Sequence, residues 1–100
     1  MNDKIDKIVK HYGNENQMLI AIEEMSELTK ALTKAMRIDA GVTMQAIEEE
    51  IADVQLCLKV LCFIFGIEEK DINADIEKKL QRTLRRMDIA KYKEVRKNVG

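Results

Sequence analysis

One hundred residues, 35% of them charged and summing to a net charge of −1, suit one domain and no more. A domain of that size buries a modest core, and association of copies is the common way to supplement it. The cysteines, Cys57 and Cys62, fit neither a disulfide framework nor a zinc motif. They read as small buried hydrophobes of a reducing compartment. The longest apolar run, Val60 to Ile67, falls far short of the ~20 residues that cross a bilayer. Charged and aliphatic side chains alternate over Met1 to Lys10, unlike a signal peptide. A soluble, cytoplasmic protein with no membrane partner is expected.

Proline is absent, and Gly13, Gly41 and Gly66 punctuate the chain before the terminal Gly100. They predict one short helix, about Asp3 to Tyr12, and three longer ones. The second runs from about Glu15 to Arg37. The third runs from about Thr43 to Phe65, with Thr43 a cap. The fourth runs from near Asp71 to near Arg96, its stripe Ile72, Ile76, Leu80, Leu84 and Met87 suited to docking. Beyond Tyr92 that stripe fades, so Lys93 to Gly100 should fray. No segment alternates in the manner of a strand. The expected fold is all-α: a single domain over 1–100, an antiparallel helical bundle completed by homo-oligomerisation, because the connections at Gly13 and Gly41 are short. Leu56, Val60, Phe63 and Ile64 lie off the main stripe of the third helix and suggest surplus apolar area for an interface between copies.

Charge is segregated. From Lys78 to Lys97 the basic residues Lys78, Lys79, Arg82, Arg85, Arg86, Lys91, Lys93, Arg96 and Lys97 stand against only Asp88 and Glu94, while the body before them is acidic. An acidic body with a basic terminal helix suits a metal ion plus phosphate, and would also suit nucleic acid. Aromatics are confined to Tyr12, Phe63, Phe65 and Tyr92, too few for a platform that stacks single-stranded bases, so nucleic acid is not the expected partner.

The apolar stripes are interrupted by acids. In the second helix Ile20, Ala21, Met25, Leu28, Ala31, Leu32, Ala35 and Met36 fall in one arc, with Glu24 inside it and Glu27 at its edge. In the third, Ile47, Ile51, Val54, Cys57, Leu58, Leu61 and Phe65 form the arc, Glu50 lies inside it, and Asp53 stands at the edge. A buried carboxylate must take up a proton or find a cation. Two helices packed face to face would bring four together, and hard oxygen ligands favour magnesium or manganese. Glu23, Glu48 and Glu49 point outward, Glu49 being close enough in register to join as an extra ligand. Acids three apart also arise on ordinary charged helix faces, so a plain surface-charge reading stands beside the metal site. A carboxylate-bridged di-iron bundle needs Glu-x-x-His, and the single histidine, His11, has no glutamate three residues before it. His11 reads as a helix-end or surface histidine. No Gly-rich phosphate loop, Ser–His–Asp set or Cys–His cluster is present.

The run Glu23-Glu24-Met25-Ser26-Glu27-Leu28 resembles the EExxE(L) element of MazG-like all-α nucleoside triphosphate pyrophosphohydrolases, and Glu50-Ile51-Ala52-Asp53-Val54 resembles their ExxD(V) element. The stretch from His11 through Gln17 is similar to the lead-in of short members, and Lys79 to Arg86 to their basic C-terminal helix, so the resemblance covers nearly the whole chain. It implies a helical homodimer or higher assembly, up to a tetramer. It also implies magnesium-dependent hydrolysis of a (d)NTP to the monophosphate and pyrophosphate. The metal ligands carry over to Glu24, Glu27, Glu50 and Asp53, with Glu27 or Glu23 taking the water's proton. Gln17, Lys79, Arg82 and Arg86 are left for the substrate. Longer MazG proteins carry a lysine–asparagine–arginine pattern, and here Gln81 stands where the asparagine is expected. The alternative is a non-enzymatic helical interaction module with salt-bridged acidic faces and a basic C-terminal helix.

Overall fold

The computed structural model describes residues 2–37 and 41–99 and is all-helical: α1 (Asn2–Tyr12), α2 (Asn14–Ala35), α3 (Met44–Phe65) and α4 (Glu69–Val99). No strand occurs among the described residues. The chain divides into two compact units, Met1–Ile67 and Glu68–Gly100. No helix is long and apolar enough to cross a membrane.

In the first unit several features of the helices have a local cause. Asp6 and Lys10 pair at 2.9 Å one turn apart in α1. Gly13, at φ 89°, redirects the chain from α1 into α2, and its N–H donates to the Val9 carbonyl at 2.7 Å. Thr43 caps α3 as expected: its hydroxyl oxygen accepts from the Ala46 N–H at 3.1 Å. Gly66 ends α3 in the left-handed region (φ 65°), and the Ile67 N–H returns to the Cys62 carbonyl at 2.8 Å.

Burial inside this unit is sparse. Ile5 and Val9 of α1 pack with Val60 of α3, and Ile64 lies against them. Ala21 of α2 is also buried, as is Gln17. Val60 and Ile64 are therefore engaged by α1 within the chain, whereas Leu56 and Phe63 are exposed. Cys57 and Cys62 are free thiols and only half-buried. His11 is exposed in the last turn of α1, its ring edge-on to Tyr12. Along α2 and α3 the buried and half-buried positions recur every three to four residues: Gln17, Ala21, Glu24, Leu28 and Ala31 on one, Ile47, Glu50, Val54, Cys57 and Leu61 on the other. These are the facing sides of the two helices.

The second unit is one helix. α4 begins with Glu69 and Asp71 in its first turn and ends with Arg96 and Lys97 in its last, the order that suits the helix dipole. Its apolar stripe is exposed in the single chain, from Ile72 and Ile76 to Leu84 and Met87. The backbone stays helical past Tyr92, through Val99, where fraying was expected; Gly100 lies outside the described residues. Lysine, arginine and glutamate are good helix formers, and Arg96 donates to the Tyr92 hydroxyl one turn earlier at 3.2 Å.

Candidate metal centre

Glu24 and Glu50 are half-buried at the α2–α3 contact, inside the two stripes, and Asp53 lies exposed one turn beyond Glu50. One carboxylate oxygen from each of Glu24, Glu50 and Asp53 comes within 4.8 Å of the others. Oxygen Oε2 of Glu50 is buried with no hydrogen-bond partner among the described residues. No lysine or arginine pairs with any of the three among the described residues. Partial burial first, then the negative charges of Asp53, Glu50, Glu23 and Glu27, hold the Glu24 carboxyl above its ordinary value of 4.5. The neighbouring Cys57 thiol is pushed up as well, by burial and then by the charges of Glu24 and Asp53.

Glu27, the fourth expected ligand, is not in that group. It is half-buried one turn along α2, where its Oε1 accepts from Lys30 Nζ at 3.4 Å. Glu27 and Glu50 do line one open cleft of about 260 Å³, together with Lys30, Lys34 and Thr43. Glu23, Glu48 and Glu49 are exposed, and Glu49 accepts from the Gln45 amide at 3.3 Å. Gln17 is buried, its amide 3.5 Å from the Asn16 side-chain oxygen, and does not line that cleft. On α4, Lys79 and Arg82 line an open groove of about 510 Å³ with Asp75, Lys78 and Arg85, whereas Arg86 is exposed and does not line it.

No motif marks Lys30 and Lys34, and their signal in the sequence is spacing alone: they follow Glu27 by one and two turns on the same edge of α2. Two positive side chains therefore share a cleft with two of the acids, an arrangement able to hold a polyanion beside a cation.

Comparison of the chain with protein-family models, with curated proteins and with solved structures finds no match.

Proposed function

We propose that this chain is a magnesium-dependent nucleoside triphosphate pyrophosphohydrolase of the MazG-like kind, acting on a (d)NTP to release the monophosphate and pyrophosphate. The observation that carries the reading is the meeting of Glu24, Glu50 and Asp53 with no basic partner, and with Glu50 Oε2 buried unpaired, among the described residues.

That donor set fits a hard divalent cation: it offers only carboxylate oxygens, and one of them lacks the hydrogen bond that a buried oxygen needs. Glu24, Glu50 and Asp53 would hold magnesium, with manganese the alternative, and Glu27 would join on release from Lys30. A cation bound there supplies neutralisation of the triphosphate charge and a more acidic water. The other groups do ordinary polar work. Glu27 or Glu23 accepts a proton from the attacking water. Lys30 and Lys34 place point charges against phosphate oxygens at the cleft. The family resemblance assigns Lys79, Arg82 and Arg86 of α4, and Gln17 of α2, to the substrate. The cleft also argues for an antiparallel α2–α3 hairpin: Glu24 meets Glu50 and Asp53, while Lys34, later in α2, shares its walls with Thr43, earlier in α3. The sparse core supports a homo-oligomer, dimer or tetramer.

The second reading, a non-enzymatic helical interaction module, draws on the exposed stripe of α4. It accounts less well for three acids that converge with no basic partner among the described residues. Pyrophosphate release from a panel of canonical and modified dNTPs, with and without magnesium, tests the proposal. Magnesium-dependent release lost in Glu50→Gln supports it. Absence of release across the panel, together with a melting temperature indifferent to magnesium, favours the module.

A further inference from the structure

α4 sorts its charges around the helix axis. At about 100° per residue, Lys78, Arg82, Arg85, Lys93 and Arg96 form one stripe along the helix. Lys79, Arg86 and Lys97 fall on one flank of it, and all eight lie within about a third of the circumference. All eight are exposed. Between Lys78 and Lys97 no acid shares that arc: Asp88 and Glu94 lie outside it, and Ile89 is the one uncharged position inside. No carboxylate pairs with any of the eight among the described residues. Asp75 precedes the stripe on the same face and lines the groove at its start with Lys78, Lys79, Arg82 and Arg85.

The apolar stripe from Ile72 to Met87 runs along the opposite side, and Arg82 stands roughly 200° round from Leu80. Covering the apolar stripe therefore leaves the basic face in solvent. Lys78 and Arg82 are like charges one turn apart, as are Lys93 and Lys97. Such pairs destabilise a bare helix, and a polyanion laid along the face removes their repulsion.

We propose that this face of α4 binds duplex DNA through its phosphates, without sequence preference. Shape is the first argument. A helix with its side chains is about 10–12 Å across, and the major groove, about 12 Å wide, admits it. From Lys78 to Lys97 the stripe rises about 28 Å at 1.5 Å per residue, most of one duplex turn of about 34 Å. Chemistry is the second. Lysine and arginine serve phosphate contact, and from Lys78 to Lys97 the arc holds no asparagine, glutamine or acid to read adenine or cytosine. The scarcity of aromatics argues against stacked single strands, whereas duplex phosphates need none. The major groove of an RNA duplex is too narrow for side chains to read. An anionic bilayer would take the apolar side of such a helix. On that side Glu94 stands among the apolar residues, with Glu77 and Asp88 at the edge, where anionic headgroups repel them. The proposal does not depend on the hydrolase reading.

The test is a fluorescence anisotropy titration of the full chain against labelled duplex DNA, without nucleotide, from about 50 to 200 mM salt. Two duplexes of unrelated sequence should bind alike. Contact with roughly five to eight phosphates gives a slope of log affinity against log salt of about −4.5 to −7. Arg85→Ala, Lys93→Ala and Arg96→Ala lie outside the groups assigned to the triphosphate. Each should weaken binding to both duplexes by at least about threefold and make the slope shallower by about one. Lys91→Ala removes the same charge from the other side of α4 and should leave affinity within about twofold. Alanine is the best helix former, and helical circular dichroism checks that each variant keeps α4. No binding at the low-salt end overturns the proposal. So does an equal loss in Lys91→Ala, which would make the attraction one of overall charge. Tighter binding to a single strand, or binding to phosphatidylserine vesicles with the duplex left free, overturns it too. None of these outcomes bears on pyrophosphate release, so the hydrolase reading stands or falls separately.

Discussion

Glu24 of α2 and Glu50 of α3 point carboxylates at each other across the α2–α3 contact, an oxygen of one within 4.8 Å of an oxygen of the other. Like charges this close, half out of water, repel unless a proton or a cation lies between them. Neutralising either of Glu50 and Asp53 should therefore leave the metal-free fold intact or stabilise it, while removing a ligand that the reaction needs. Glu50→Gln and Asp53→Asn are expected to lower turnover by at least about 10²-fold, the scale for losing one group that manages transition-state charge. Paired measurements of pyrophosphate release and of melting temperature in chelator check this. Unfolding of both variants in chelator would mean that the acids are structural partners.

The raised Glu24 carboxyl fixes the sign of a pH effect. Its folded value lies above the 4.5 of the unfolded chain, so the folded state holds the proton longer. The associated stability is complete below 4.5 and drains away as pH rises through the folded value. Without metal, the stability of Glu24→Gln relative to the native chain should therefore be level in acid and climb towards neutral pH. Saturating magnesium should reverse the order at neutral pH, because a cation that binds only the native chain stabilises it by mass action. Urea titrations at several pH values, in chelator and in magnesium, give both comparisons. A relative stability that stays flat with pH in chelator contradicts the strained pair.

Much of the fold and the core of the site are legible in the sequence because their causes are local. Thr43 announces a helix start and Gly66 a helix end, and both act as such. Glu24 and Glu50 interrupt apolar arcs, and the arcs do face one another. What is not legible depends on contacts between distant residues. Val60 and Ile64 look surplus on a helical wheel because the wheel does not show α1 packing on them. Glu27 has the same spacing as Asp53, yet its own helix places Lys30 within reach, and a nearby lysine decides where the carboxylate points. The cleft that joins Lys30 and Lys34 to Glu50 exists only once α2 and α3 are paired.

Two groups of positive side chains can serve the triphosphate, and they can be separated by experiment. Lys79→Ala and Arg82→Ala are expected to lower triphosphate turnover by roughly tenfold each, about the loss of one charge-assisted hydrogen bond, with magnesium binding nearly unchanged. Lys34→Ala should act in the same direction through the cleft beside Glu50. Deleting Lys97 to Gly100 should leave turnover within about twofold, since single surface changes of this kind fall within ±0.5 kcal/mol. Steady-state kinetics together with magnesium titration of each variant decide the matter. If the short deletion abolished turnover while Lys79→Ala did not, the phosphate would be held by the tail.

The ends of α3 set the register of Glu50 and Asp53, and each end rests on one residue. The Thr43 hydroxyl occupies the Ala46 N–H one turn before the acids, and removing an N-cap of this kind costs about 1 kcal/mol. Gly66 sits at φ 65° with nothing within 4 Å of where a Cβ would stand, so the penalty of Gly66→Ala comes from backbone conformation alone, about 1–2 kcal/mol. The two substitutions lie at opposite ends of the helix and share no partner, so their effects on stability should add. Their effects on function should differ. Thr43 lines the cleft with Glu50 and Lys34, so Thr43→Ala should weaken magnesium-dependent stabilisation as well as the fold. Gly66→Ala should lower the melting temperature and leave the magnesium increment as it was. Melting curves of both single variants and the double variant, each with and without magnesium, provide the comparison. An equal loss of the magnesium increment in both would show that the acids respond to the stability of α3 as a whole and not to its capped end.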